Sequence, residues 1–137
     1  MKILVVHRQR DIADQIRSVL QSVGSIIRYS TSGLDGLLAA RIETFDLIIC
    51  GTDLPVITGF EMVRSLRTNS VNKKTPVIFV AEELNKEMES LGMALHASDM
   101  LTPADVTTRL TSIVRDQVRA APDNRWEDLL TKERVMN

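Results

Sequence analysis

Apolar positions along the chain change their period repeatedly, and each change marks an element. Ile3–Val6 is a run of consecutive apolar residues, mostly β-branched, which is the composition of a strand. Ile12, Ile16, Val19, Leu20 and Val23 then recur at helical spacing. Asp11 stands at the N-cap of that helix and Gly24 at its C′ position. Ser25–Ser30 predicts a second strand. Ser32 caps a second helix carrying Leu34, Leu37, Leu38 and Ile42 as its apolar residues. Leu47–Cys50 is a continuously apolar third strand, with Gly51 the first residue of the loop behind it. Thr58 and Glu61 have capping-box spacing and open a third helix with Phe60, Val63 and Leu66 on one face. Pro76–Val80 predicts a fourth strand, proline being permitted at its first position. Leu84, Met88, Leu91 and Leu95 mark a fourth helix, and Asp99–Leu101 a short fifth strand. Thr102 and Pro103 then fit the N-cap and N1 positions of a last helix with Val106, Leu110, Ile113, Val114 and Val118.

Strands alternating with helices at this spacing predict an α/β protein: right-handed βαβ units forming a doubly wound, five-stranded parallel sheet. The first, third and fourth strands are apolar on both faces, as a sheet covered on both sides requires. Ligands of such folds bind beyond the carboxyl ends of the strands. The residues to inspect are therefore His7, Arg8, Gly51 to Asp53, Ala81, Glu82 and Thr102. Pro122 divides the chain into a domain over 1–120 and a C-terminal extension over 121–137. Asn124 and Glu127 have capping-box spacing there, and Trp126, Leu129 and Leu130 form a small apolar face. An isolated helix this short is marginal in water.

Composition narrows the chemistry. With 137 residues, 44% of them hydrophobic and 26% charged, the chain has the make-up of one globular domain. A net charge of −1 favours neither nucleic acid nor an acidic membrane surface. The one cysteine, Cys50, lies in an apolar run and suits a buried, inert thiol. The first apolar run is too short for a signal peptide, and no stretch approaches a membrane span. The expectation is a soluble, cytoplasmic protein. There is no phosphate-binding loop, no glycine-rich first turn, no C-x-x-C, no H-E-x-x-H and no G-x-S-x-G elbow. Two histidines are too few for an ordinary catalytic zinc site. The chain offers little as an enzyme.

KILVV, a helix ending in glycine, FDLIICGTDLPVITGFEMVRSLR, TPVIFV and ASDMLTP together resemble the receiver domain of bacterial two-component response regulators. The resemblance covers residues 1 to about 120 and implies the flavodoxin-like (βα)5 receiver fold. Family receivers catalyse their own phosphorylation. They use an acidic pair after the first strand that binds Mg²⁺, an aspartate ending the third, a hydroxyl ending the fourth and a lysine before a proline ending the fifth. Here the acidic pair is His7 and Arg8, the phosphoacceptor is Gly51, the hydroxyl position is Ala81, and the lysine position is Thr102 or a deletion. A hard divalent cation needs oxygen ligands. Bringing Mg²⁺ within ~4 Å of Arg8 would cost roughly several kcal/mol even at an effective dielectric of about 20. The resemblance thus implies a pseudo-receiver without Mg²⁺ or other cofactor.

Other readings stay open for individual residues. Asp53 is a turn residue, a partner of Arg8 or a substitute phosphoacceptor. Arg8 fills the metal space by pairing with Asp53 or Glu82, or is solvated. His7 and His96 read as hydrogen-bonded loop residues, and Lys73 and Lys74 as a solvated loop. Met100 falls near the family's aromatic switch position. Trp126, with Leu129 and Leu130, docks on its own domain, binds a partner or begins a linker to a further segment. The expected function is a phosphorelay-type signalling module, a monomer or weak homodimer, that is not an enzyme and acts through protein partners without contacting nucleic acid or membrane. The alternatives are a receiver phosphorylated at a residue such as Asp53, and a small-molecule binder on the same fold.

Overall fold

A computed structural model describes residues 1–117. Five strands form one parallel sheet: β1 (Lys2–Val6), β2 (Ile26–Ser30), β3 (Leu47–Gly51), β4 (Val77–Val80) and β5 (Asp99–Leu101), in the order β2-β1-β3-β4-β5. Between them lie α1 (Arg10–Leu20), α2 (Gly33–Ile42), α3 (Gly59–Thr68) and α4 (Lys86–Ala94). A last helix, α5, runs from 103 through 117. The expected doubly wound α/β fold is therefore present. The part of the expected domain and extension beyond 117, with Val118, Trp126, Leu129 and Leu130, lies outside the described residues.

Alternation along the strands builds two cores. Leu4, Val6, Ile48, Cys50, Val77 and Phe79 face α2 and α3, meeting Leu37, Ala40, Met62, Val63 and Leu66. Ile3, Val5, Leu47, Ile49, Ile78 and Val80 face the other way, onto Ile12, Ile16 and Leu20 of α1 and Val106, Leu110 and Val114 of α5. Burial on both faces explains the unbroken apolar runs.

Several expected boundaries shift. Gln9, not Asp11, is the N-cap of α1, and Asp11 sits in the first turn, where its charge suits the helix dipole. A 3₁₀ turn, Gln21–Val23, follows, and Gly24 ends it in the left-handed conformation, φ 63°. Gly51 belongs to β3 instead of the loop. Asn85 caps α4 by accepting from the Met88 amide, so Leu84 precedes the helix. The capping box of Thr58 and Glu61 forms as expected.

The largest departure is α2. Its buried residues are Gly33, Gly36, Leu37 and Ala40, while Leu34, Leu38 and Ile42 are exposed. The reason is close approach. A Cβ on Gly33 would fall 2.3 Å from the Ile57 carbonyl oxygen, and one on Gly36 2.7 Å from Val6 Cγ2. The helix lies on the sheet through its smallest residues, which turns its larger side chains outward.

Beneath the sheet, two polar side chains bind backbone groups of distant segments. Fully buried Asn72 accepts from the Phe45 amide at 2.8 Å and donates to the carbonyls of Ala40 and Glu43. The Arg67 guanidinium donates to the carbonyls of Leu95, Lys73 and Thr75 at 2.9, 3.1 and 2.7 Å. These bonds tie the loops before β4 and β5 to α3.

Candidate functional site: the cleft above the sheet

The strand order reverses between β1 and β3, so the chain leaves these neighbours in opposite directions and opens a crevice above them. A cleft of about 600 Å³ lies there, lined by His7, Arg8, Gln9, Asp53, Ala81 and Glu82 among others. Backbone bonds knit its floor: the Thr52 amide donates to Val80 O at 3.2 Å and the Ala81 amide to Leu101 O at 2.9 Å.

His7 is the best-fixed side chain of the site. It is 7% exposed. Its amide donates to Ser30 O at 3.1 Å, and its carbonyl accepts from the Tyr29 hydroxyl at 3.1 Å. The Gln9 amide donates to Nδ1 at 3.0 Å. Burial holds its pKa below the ordinary histidine value, and a donor aimed at Nδ1 requires that nitrogen unprotonated. The imidazole lies over Gly51. A Cβ on Gly51 would meet His7 Cδ2 at 2.9 Å and Nε2 at 3.3 Å. The space that a side chain at 51 would need is occupied by the ring of residue 7.

The polar side chains around the ring are paired singly and are open to water. Arg8 Nη1 stands 3.1 Å from Asp53 Oδ2, the two side chains being 50% and 84% exposed. An ion pair of that exposure contributes about 0–1 kcal/mol. Gln9 Nε2 donates to Glu82 Oε1 at 3.0 Å. Ala81 is buried and brings no hydroxyl. Thr102 uses its hydroxyl at the start of α5: it accepts from the Asp105 amide at 3.4 Å while the Asp105 carboxylate accepts from the Thr102 amide at 3.2 Å. The Cys50 thiol is fully buried, and burial raises its pKa far beyond the ordinary range, so it is a poor nucleophile.

Of the sequence-selected residues, His7, Arg8, Asp53, Ala81 and Glu82 come together at the cleft, with Gly51 beneath His7. Met100 is half-buried against the α2–α3 core, and its Sδ would lie 2.6 Å from a Cβ on Gly92 of α4. Gln9 and Tyr29 were not singled out from the sequence. Gln9 sits one residue past the HR pair, and only the fold shows its contact with Glu82, 73 residues away. Among the described residues no helix is long and apolar enough to cross a membrane.

A five-stranded parallel sheet in this order, with its cleft at the β1/β3 reversal, is the flavodoxin-like α/β arrangement that receiver domains share. Residues 3–115 match the response regulator receiver domain, and the chain belongs to that family. The transcriptional regulatory protein CusR of Escherichia coli K12 is 29% identical over 119 residues, 87% of this chain and 52% of CusR. The cell cycle response regulator CtrA of Brucella ovis is 24% identical over 137 residues, 100% of this chain and 58% of CtrA. The chain thus spans about half the length of the curated relatives it matches. Chemotaxis protein CheY4 of Vibrio cholerae superposes with a TM-score of 0.74 at 31% identity, over 83% of this chain and 96% of CheY4. The receiver domain of Francisella response regulator 1452 shares the fold, with a TM-score of 0.77 at 22% identity over 88% and 98% of the two chains.

Proposed function

We propose that this chain is a pseudo-receiver: a response-regulator receiver that takes no phosphoryl group at position 51 and signals through protein–protein contact as a binding domain, not an enzyme. The observation that carries this reading is the His7 ring seated over Gly51, with Cδ2 2.9 Å from where a Cβ would begin. The acceptor is missing and its space is filled.

The surroundings support it. The residues after β1 do not suit Mg²⁺. Arg8 is a fixed positive charge, the Asp53 carboxylate already faces it, and Glu82 already accepts from Gln9. A hard cation would have to displace that pairing beside a guanidinium. Ala81 has no hydroxyl to hold a phosphoryl oxygen, and the Thr102 hydroxyl is committed to a helix cap. The Arg8–Asp53 pair bridges the loops after β1 and β3 without phosphate or metal. Partner binding, not phosphoryl transfer, then sets the output.

The test is to incubate the chain with Mg²⁺ and a small phosphodonor such as phosphoramidate and to read the intact mass. The expected result is no added phosphoryl group. An adduct that disappears in Asp53→Asn would overturn the reading and make Asp53 a substitute acceptor.

A further inference from the structure

Among the described residues seven large apolar side chains are exposed: Ile26, Leu34, Leu38, Ile42, Val56, Val71 and Met93. Five of these gather along α2. Leu34, Leu38 and Ile42 recur every four residues and form one ridge, 41%, 48% and 82% exposed. Val56 lies at the ridge's N-terminal end, between Pro55, whose carbonyl accepts from the Gly33 amide at 3.3 Å, and Ile57, whose backbone abuts Gly33. Ile26 lies at the other end. Ile27 and Tyr29 of β2 face the α1–α5 core, so Ile26 faces the α2 side of this edge strand. Glu43, next to Ile42, ion-pairs with both Lys2 and Arg28, and Lys2 is the register partner of Ile26.

Val56 has φ 75° at the centre of a tight turn closed by the Ile57 amide, which donates to Pro55 O at 3.0 Å. The turn leaves the Val56 side chain 75% exposed.

We propose that the α2 strip is a homodimer interface, with a second copy of this chain as its occupant. The area fits. The five residues expose on the order of 600 Å², so two copies would bury up to about 1,200 Å² from them, which reaches the lower end for specific interfaces. The charge fits as well. Asp35 and Arg41 flank the ridge on α2, and Glu43 with Lys2 and Arg28 stands at its far end, so both signs are mixed along the strip and it selects neither an acidic nor a basic partner. The chain's net charge of −1 gives two copies little repulsion. A ridge spaced by four packs into the same ridge of another helix, the commonest helix-packing class, and a two-fold contact brings the same patch from both copies. This interface rests on α2 and is independent of whether the cleft takes a phosphoryl group.

Sedimentation velocity of the full chain from about 1 µM to about 500 µM covers the weak end of affinities for an interface of this size. The expected result is a reversible rise from monomer to dimer mass. Leu38→Glu should weaken association at least tenfold, while Met93→Glu, on the exposed end of α4, should leave it unchanged. Both positions are exposed, and circular dichroism checks that the variants are folded. A monomer across the whole range, or a dimer indifferent to Leu38→Glu, overturns the proposal. So does a monomer that dimerises only when Trp126, Leu129 and Leu130 are replaced by serine, since the chain's own C-terminal segment would then cover the strip.

Discussion

The two ends of the parallel sheet use polar residues in opposite ways. Below it, Asn72 is fully buried and bonded to Phe45, Ala40 and Glu43, and Arg67 gathers carbonyls from the loops before β4 and β5. Above it, Arg8 with Asp53 and Gln9 with Glu82 are single contacts open to water. The lower end holds the frame. The upper end, where this fold places ligands, carries a buried histidine over a glycine and a few loosely held charges. An anchored frame beneath a loosely paired cleft is what the proposed pseudo-receiver requires.

That contrast orders the expected effects of mutation. Asn72→Ala should be the most damaging, since it strips a buried amide and two carbonyls of their partner; the expected loss is about 3 kcal/mol. Urea unfolding measures it, and a loss below about 1 kcal/mol would mean that water replaces the side chain. Gly51→Ala comes next, at about 1–3 kcal/mol, because its Cβ drives into the His7 ring. The same change in a His7→Ala background should cost less, and a double-mutant cycle should show coupling of about 1 kcal/mol. Additivity of the two changes would mean that the ring does not fill the acceptor space.

His7 also sets a pH dependence. Its folded pKa is depressed by burial, so below about pH 6.5 the unfolded chain binds the proton more readily. Stability should be full above that point and should fall as pH drops from there toward the folded pKa, by no more than about 1.4 kcal/mol per pH unit. Urea midpoints through this window should decline in the wild type and flatten in His7→Gln. The smallest effect belongs to Arg8→Ala, below about 1 kcal/mol, since its pair with Asp53 is exposed. A larger loss would move Arg8 from the open cleft to the frame.

Much of this was legible in the sequence, and the misses have physical causes. The strands could be read because burial on both faces leaves unbroken apolar runs, and the caps of α2, α3 and α5 because Ser32, Thr58 and Thr102 carry the side-chain oxygens such caps need. The inward face of α2 could not be read. Its leucines suggested a core stripe, but Gly33 and Gly36 set the approach to the sheet, and that depends on Val6 and Ile57 from distant segments. At the cleft, the residue types at 7, 8, 51 and 81 could be read from their places after the strands. That His7 would occupy the space above Gly51 could not, because the β1–β3 register and the bond from the Gln9 amide place the ring.

The most direct test of the central claim is an amide NMR titration of the full chain with Mg²⁺, followed by Mg²⁺ with beryllofluoride, a mimic of the phosphoryl group. The account predicts no saturating shift at Gly51, Asp53 or Ala81. Shifts there that saturate with Mg²⁺, grow with beryllofluoride and vanish in Asp53→Asn would contradict it.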